Sequence, residues 1–166
     1  MLRAARLEAA LYDEVKADRA AMGQAAVVVV ISSVAAGLGA YNRGGAQALL
    51  AAAVIALAGW FIWSLLLYVI GAKVLPEPGT SSDFPAMLRA AGFAAAPGAI
   101  RVFGLLPGID GLVFLVAALW MIAAMIMAVR QALSYSSTWR AAAVAALGWV
   151  IQALIVGGFM YASRAG

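Results

Sequence analysis

Residues Phe84 to Leu133 read FPAMLRAAGFAAAPGAIRVFGLLPGIDGLVFLVAALWMIAAMIMAVRQAL, and in this stretch charges, prolines and glycines punctuate an apolar background. Nineteen uncharged residues separate Asp110 from Arg130. As a helix rising about 1.5 Å per residue, they cover the roughly 30 Å hydrocarbon core of a bilayer. This half reads as a transmembrane helix. Only eleven uncharged residues separate Arg89 from Arg101, too few to span unless the two guanidinium groups snorkel toward opposite interfaces. The first half is therefore either a third span or a re-entrant segment. Gly92, Ala95, Ala96 and Ala99 recur at i, i+3, i+4 and i+7, leaving one face nearly bare so that a neighbouring backbone can approach it. Pro97 removes a backbone donor within that face, and Pro107 with Gly108 marks the turn before the next helix.

The remaining composition agrees with a membrane setting. The chain has 166 residues, 66% hydrophobic and 11% charged, with a mean hydropathy of +1.01. A soluble domain of this size could not hide so much apolar surface. One domain with four or five spans and short loops is expected. Cysteine and histidine are both absent, which excludes disulfides, thiolate metal sites and cysteine or histidine catalysis. The net charge of +4 is scattered along span boundaries, which suits anionic headgroups and topology control rather than nucleic acid.

From the start of the chain, Leu7, Leu11 and Val15 recur every four residues, with Tyr12 on the same side. Residues 1–20 are thus expected to form an amphipathic helix on the membrane surface or against the bundle. Four acids precede the first apolar run, unlike a cleaved signal peptide. The expected spans are about 21–42, 46–72, 84–106, 110–132 and 139–162. A turn at Asn42-Arg43-Gly44-Gly45 joins the first two. Trp60 and Trp63 fall in mid-span, where packing explains them better than interfacial anchoring. The segment KVLPEPGTSSD, from Lys73 to Asp83, is the longest loop, with Ser82 or Asp83 as cap of the helix that Pro85 begins. Thr138 is the expected cap of the last span. Ala145, Gly148 and Gln152 lie along one side of that span, with Gln152 placed to bond a neighbouring helix.

With five spans, Arg3, Arg6, Lys16, Arg19, Lys73, Arg89, Arg130 and Arg140 share one side against Arg43, Arg101 and Arg164 on the other. The excess of positive charge puts the N-terminus in the cytoplasm. A re-entrant third segment gives the same imbalance, so charge fixes the N-terminus and leaves the C-terminus open. Arg89, Arg101, Arg130 and Arg140 are read as membrane anchors. No carboxylate lies in the middle of a span, and no glycine-rich loop with a lysine is present, so neither acid–base catalysis nor nucleotide hydrolysis is expected. No metal or other cofactor is expected.

Several of these residues carry a resemblance. Leu88-Arg89-Ala90-Ala91-Gly92-Phe93, Ala96-Pro97, Leu106-Pro107-Gly108, Trp120 and Ala128-Val129-Arg130-Gln131-Ala132-Leu133 resemble the bacterial branch of the Ypt-interacting-protein (Yip) domain family. The opening Leu11-Tyr12-Asp13-Glu14-Val15, followed by Gly23-Gln24-Ala25, is similar to the start of those members. The resemblance implies an all-α bundle of five membrane helices behind a cytoplasmic N-terminus, and so an external C-terminus. Eukaryotic relatives are associated with prenylated small GTPases, but the acidic-Leu-Tyr-Gly-Pro element typical of them is missing, so GTPase binding is not carried over. The expected function is a non-enzymatic scaffold or partner-recruiting protein of the cell membrane. Its expected partners are the lipid bilayer and other membrane proteins or further copies of the chain. An accessory subunit of a larger complex, or a channel or carrier, are the alternatives.

Overall fold

The structure, a computed structural model, describes residues 1–39 and 45–165. The turn expected at Asn42-Arg43-Gly44 lies outside the described residues. Helices α1 (Leu2–Ala5) and α2 (Ala9–Ala17) precede α3 (Ala21–Gly39) and α4 (Gly45–Val69), the latter continuing as a π-helical turn over Ile70–Val74. Then come α5 (Phe84–Phe93), a 3-10 helix over Ala96–Leu105, α6 (Asp110–Ala132) and α7 (Thr138–Ala165). No strand occurs among the described residues. Among the described residues, four stretches are long and apolar enough to cross a membrane: Ala21–Leu38, Ala53–Val74, Asp110–Ala132 and Thr138–Ile155. Their outer faces expose Val54, Ile55, Ile62, Leu112, Leu115, Leu119, Leu154 and Ile155. A bilayer solvates such surfaces and water does not. The protein is an all-helical, multi-pass membrane protein.

The third segment is not one continuous helix. Asp83 starts α5 by accepting a hydrogen bond from the Ala86 amide at 2.7 Å, with Pro85 in the first turn, which is the expected cap. Ten residues later the α-helix stops. Pro97 has no N–H to offer the Phe93 carbonyl, and its ring disfavours α geometry at Ala96. The chain tightens instead into the 3-10 helix, entered through the Gly98 amide bonding the Ala95 carbonyl at 2.9 Å. The spacing of Gly92, Ala95, Ala96 and Ala99 therefore does not lie along a single α-helical face. Gly92, Ala96 and Pro97 are buried, while Ala95 and Ala99 are half-buried. A side chain at Gly92 would meet Ala25, and one at Gly98 would meet Ser32, so the segment advances beside α3 in the same direction.

The first twenty residues also differ from a single amphipathic helix. Arg3 pairs with Glu8 at 2.8 Å and with Glu14 at 2.8 Å, which folds α1 back toward α2 across Leu7, whose φ is 59°. The apolar set acts as expected: Leu11, Tyr12 and Val15 are buried, and Leu7 packs against them. They face α5 and α6. Tyr12, Leu67, Met87, Val129, Leu133 and Val144 are among the most deeply buried side chains. The core is thus concentrated at the end of the bundle that carries α2. Toward the opposite end, Phe103, Leu105, Leu106 and Ile109 are exposed.

Candidate functional site

The polar groups of the molecule converge where α2, the 75–83 connection and the 133–137 connection meet. Arg89 is 4% exposed; its Nε donates to the Val15 carbonyl at 2.7 Å and its Nη2 to the Lys16 carbonyl. These carbonyls belong to the last turn of α2, which has no intrahelical donors left for them. Arg89 is thus a C-terminal cap supplied from α5 rather than a group reaching for headgroups. Lys16 in turn donates to the Gln131 carbonyl at 3.2 Å and to the Ser134 hydroxyl. Further along the same face, the Trp120 indole donates to the Ala5 carbonyl at 2.6 Å. Residues 5 and 16 therefore sit against residues 120 and 131, and the N-terminal pair lies lengthwise along α6.

A second knot ties the two connections together. The π turn at Ile70–Val74 leaves carbonyls off the α-helical ladder, and the Tyr135 hydroxyl shares its one proton between the Gly71 carbonyl in the turn, at 2.8 Å, and the Leu75 carbonyl just past it, at 2.7 Å. Such turns occur often at functional positions. Glu77 accepts from the Ser136 amide at 2.9 Å and from the Ser136 hydroxyl at 2.8 Å, and its other oxygen lies 3.6 Å from Arg140 Nε. Burial alone would raise the Glu77 carboxyl, but the Ser136 and Ser137 hydrogen bonds and the Arg140 charge outweigh it and hold it below its ordinary value. The folded state thus favours the charged form. Its stabilisation is present above the ordinary glutamate value of 4.5 and fades as the pH falls through the lower, folded value. The melting temperature in detergent should drop on acidification below that point, and Glu77→Gln should shrink the drop. An unchanged acid limb in Glu77→Gln would place the pH sensitivity elsewhere.

The other residues singled out by sequence are spread over the bundle. Arg130 reaches the Tyr135 carbonyl at 3.5 Å and the Ser136 carbonyl at 3.4 Å, and Arg140 the Pro76 carbonyl at 3.5 Å. Both belong to the knot of connections. A side chain at Gly148 would meet Trp63 at 3.1 Å and Leu67 at 3.3 Å. Trp60 donates to the Leu88 carbonyl at 2.9 Å, which joins α4 to α5. Gly108, with φ 86°, makes the turn before α6, beside an exposed Pro107. Ser137 rather than Thr138 caps α7, its hydroxyl accepting from the Arg140 amide at 3.4 Å. Arg101 points between helices, half-buried, with its Cζ 5.6 Å from the centre of the Phe114 ring.

Sequence reasoning missed Gly71, Gly98, Glu77 and Tyr135. Leu133 crowds the position a Gly71 side chain would take, and Ser32 and Met121 crowd that of Gly98. For Glu77 the available signal was a carboxylate fixed between Pro76 and Pro78, since a rigid loop holds such a group in place at little entropic cost. Among the described residues, no group of three or more histidines, cysteines or acids could hold a metal ion. A comparison with family models matches residues 9–160 to the Yip1 domain. No curated protein and no solved structure matches the chain.

Proposed function

Since the chain belongs to the Yip1 domain family, we propose that it is a scaffold that recruits partner proteins to the cell membrane and acts by binding rather than by catalysis. The observation that carries this reading is the polar end of the bundle. There α2, the 75–83 connection and the 133–137 connection are cross-tied through Arg89, Lys16, Glu77 and Tyr135. The outer side of this platform exposes Asp13, Glu14, Asp18, Arg19 and Arg140. A fixed display of both charge signs favours specific contact over general adhesion to anionic lipid. A photo-crosslinking residue at Asp13 should capture discrete membrane or membrane-associated proteins, whereas one at Leu112 on the lipid-facing side should not. Capture from Leu112 with none from Asp13 would favour an accessory subunit bound through its spans.

The platform faces the cytoplasm in this reading, and all five segments cross. Two features support it: the positive-charge imbalance, and the course of the third segment beside α3 from the α2 end toward the exposed Leu105 and Leu106. Cysteines at Leu106 and Gly166 should react with a membrane-impermeant reagent in intact cells, and one at Ser136 should not. The reverse pattern would turn the bundle over and place the platform outside the cell.

A further inference from the structure

Two cavities meet at one guanidinium group inside the bundle. The first, about 530 Å³, lies between α4, α6, α7 and the 3-10 helix and is lined by Trp63, Met121, Met125, Trp149 and Gln152 together with Arg101. The second, about 620 Å³, lies between α3, α4 and the third segment, and shares Trp63, Arg101, Met121 and Met125 with the first. Both fall in the size range of small-molecule pockets. Neither lining includes a carboxylate among the described residues. Among the described residues, Arg101 Nε is buried without a hydrogen-bond partner, and its guanidinium carbon lies over the Phe114 ring. An uncompensated guanidinium in an apolar surround is costly. The first cavity also has an exposed rim, formed by Ile122, Trp149, Gln152 and Ala153, so it opens where lipid tails surround the helices.

We propose that this cavity holds one anionic phospholipid from the bilayer, its phosphodiester against Arg101 and an acyl chain along Met121, Met125 and Trp63. Depth fits the assignment. Arg101 stands four residues before the end of the 3-10 helix, about 8 Å at 2.0 Å per residue. Phe114 stands four residues into α6, about 6 Å at 1.5 Å per residue. The guanidinium is therefore near the headgroup level at that end of the bundle, while the apolar lining continues toward mid-membrane. Charge selects the headgroup. A zwitterionic lipid carries its own cation, whereas a net-negative one supplies the counter-charge that the cavity lacks.

The test uses the full chain in detergent micelles holding equal amounts of phosphatidylglycerol and phosphatidylcholine, with bound lipid counted by native mass spectrometry. The wild type should retain one phosphatidylglycerol with about tenfold preference, the scale of one charge-assisted hydrogen bond. Arg101→Gln should bind the two lipids equally, and Arg101→Lys should keep most of the preference. Ala118→Phe, which fills the cavity and leaves the charge, should lose both adducts. Equal binding by the wild type would overturn the proposal, as would a preference that survives Arg101→Gln with an unchanged melting temperature. If Arg101→Gln does not fold, an undiminished phosphatidylglycerol adduct on Ala118→Phe has the same force. Oleate, added at equal amount and displacing both phospholipids, would assign the cavity to a free fatty acid instead.

Discussion

Arg89→Ala is expected to lower the unfolding free energy in detergent by about 3 kcal/mol, since hydrogen bonds from a charged donor contribute about 1.5 to 3 kcal/mol each and this side chain makes two. Both acceptors are main-chain carbonyls at the end of α2, Val15 and Lys16. Alanine leaves the Val15 carbonyl without its donor in a region where Val15 itself is 6% exposed. Lysine keeps the charge but is a single point donor without the planar fork that reaches two carbonyls, so Arg89→Lys should fall between alanine and wild type. The loss should also be visible locally. A cysteine at Val15 should react slowly with a membrane-permeant thiol reagent in the wild-type background and markedly faster with Arg89→Ala. If melting and labelling both stay at wild-type values, α2 is held by its apolar face alone.

How far the sequence could be read follows from which interactions are local along the chain. Four spans were legible because a run of uncharged residues long enough to cross a bilayer leaves the backbone no alternative to a helix. The Asp83 cap was legible for the same reason: donor and acceptor lie three residues apart. The break in the third segment was visible only in part. Pro97 was read as a missing donor within a continuous face, whereas its ring also ends the α-helix one turn earlier. Arg89 was harder still. Its nearest acceptor in sequence, the Lys16 carbonyl, is 73 residues away, so the distance to Arg101 suggested two snorkelling anchors. Instead, the uncapped end of α2 offers Arg89 a closer partner. Glu77 and Tyr135 belong to the same class, because each is satisfied across two connections that the chain brings together only on folding.

Gly92→Leu is expected to be strongly disruptive within the spans. A Cβ at Gly92 would lie 2.8 Å from the Ala25 Cβ, 3.1 Å from the Ala25 carbonyl oxygen and 3.1 Å from the Trp60 ring. The carbonyl is part of α3 and cannot rotate away, and Trp60 is held by its bond to the Leu88 carbonyl. Alanine already meets these contacts; leucine must push α3 and α5 apart. Overpacking of this kind typically costs 1 to 3 kcal/mol, and the backbone contact places Gly92→Leu near the upper end, about 3 kcal/mol. Gly59 provides the internal comparison, because no atom lies within 4 Å of the Cβ that would be added there. Gly59→Leu should therefore melt close to the wild type, while Gly92→Leu should melt well below it. The consequence extends to the polar platform, since α5 also carries Arg89. Parting α5 from α3 should draw Arg89 off the α2 carbonyls, so the cysteine at Val15 should become reactive in Gly92→Leu as well. Equal melting of the two leucine variants would show that the Gly92 face is not a tight helix contact. A low melting temperature with Val15 still protected would separate the packing of the third segment from the docking of α2.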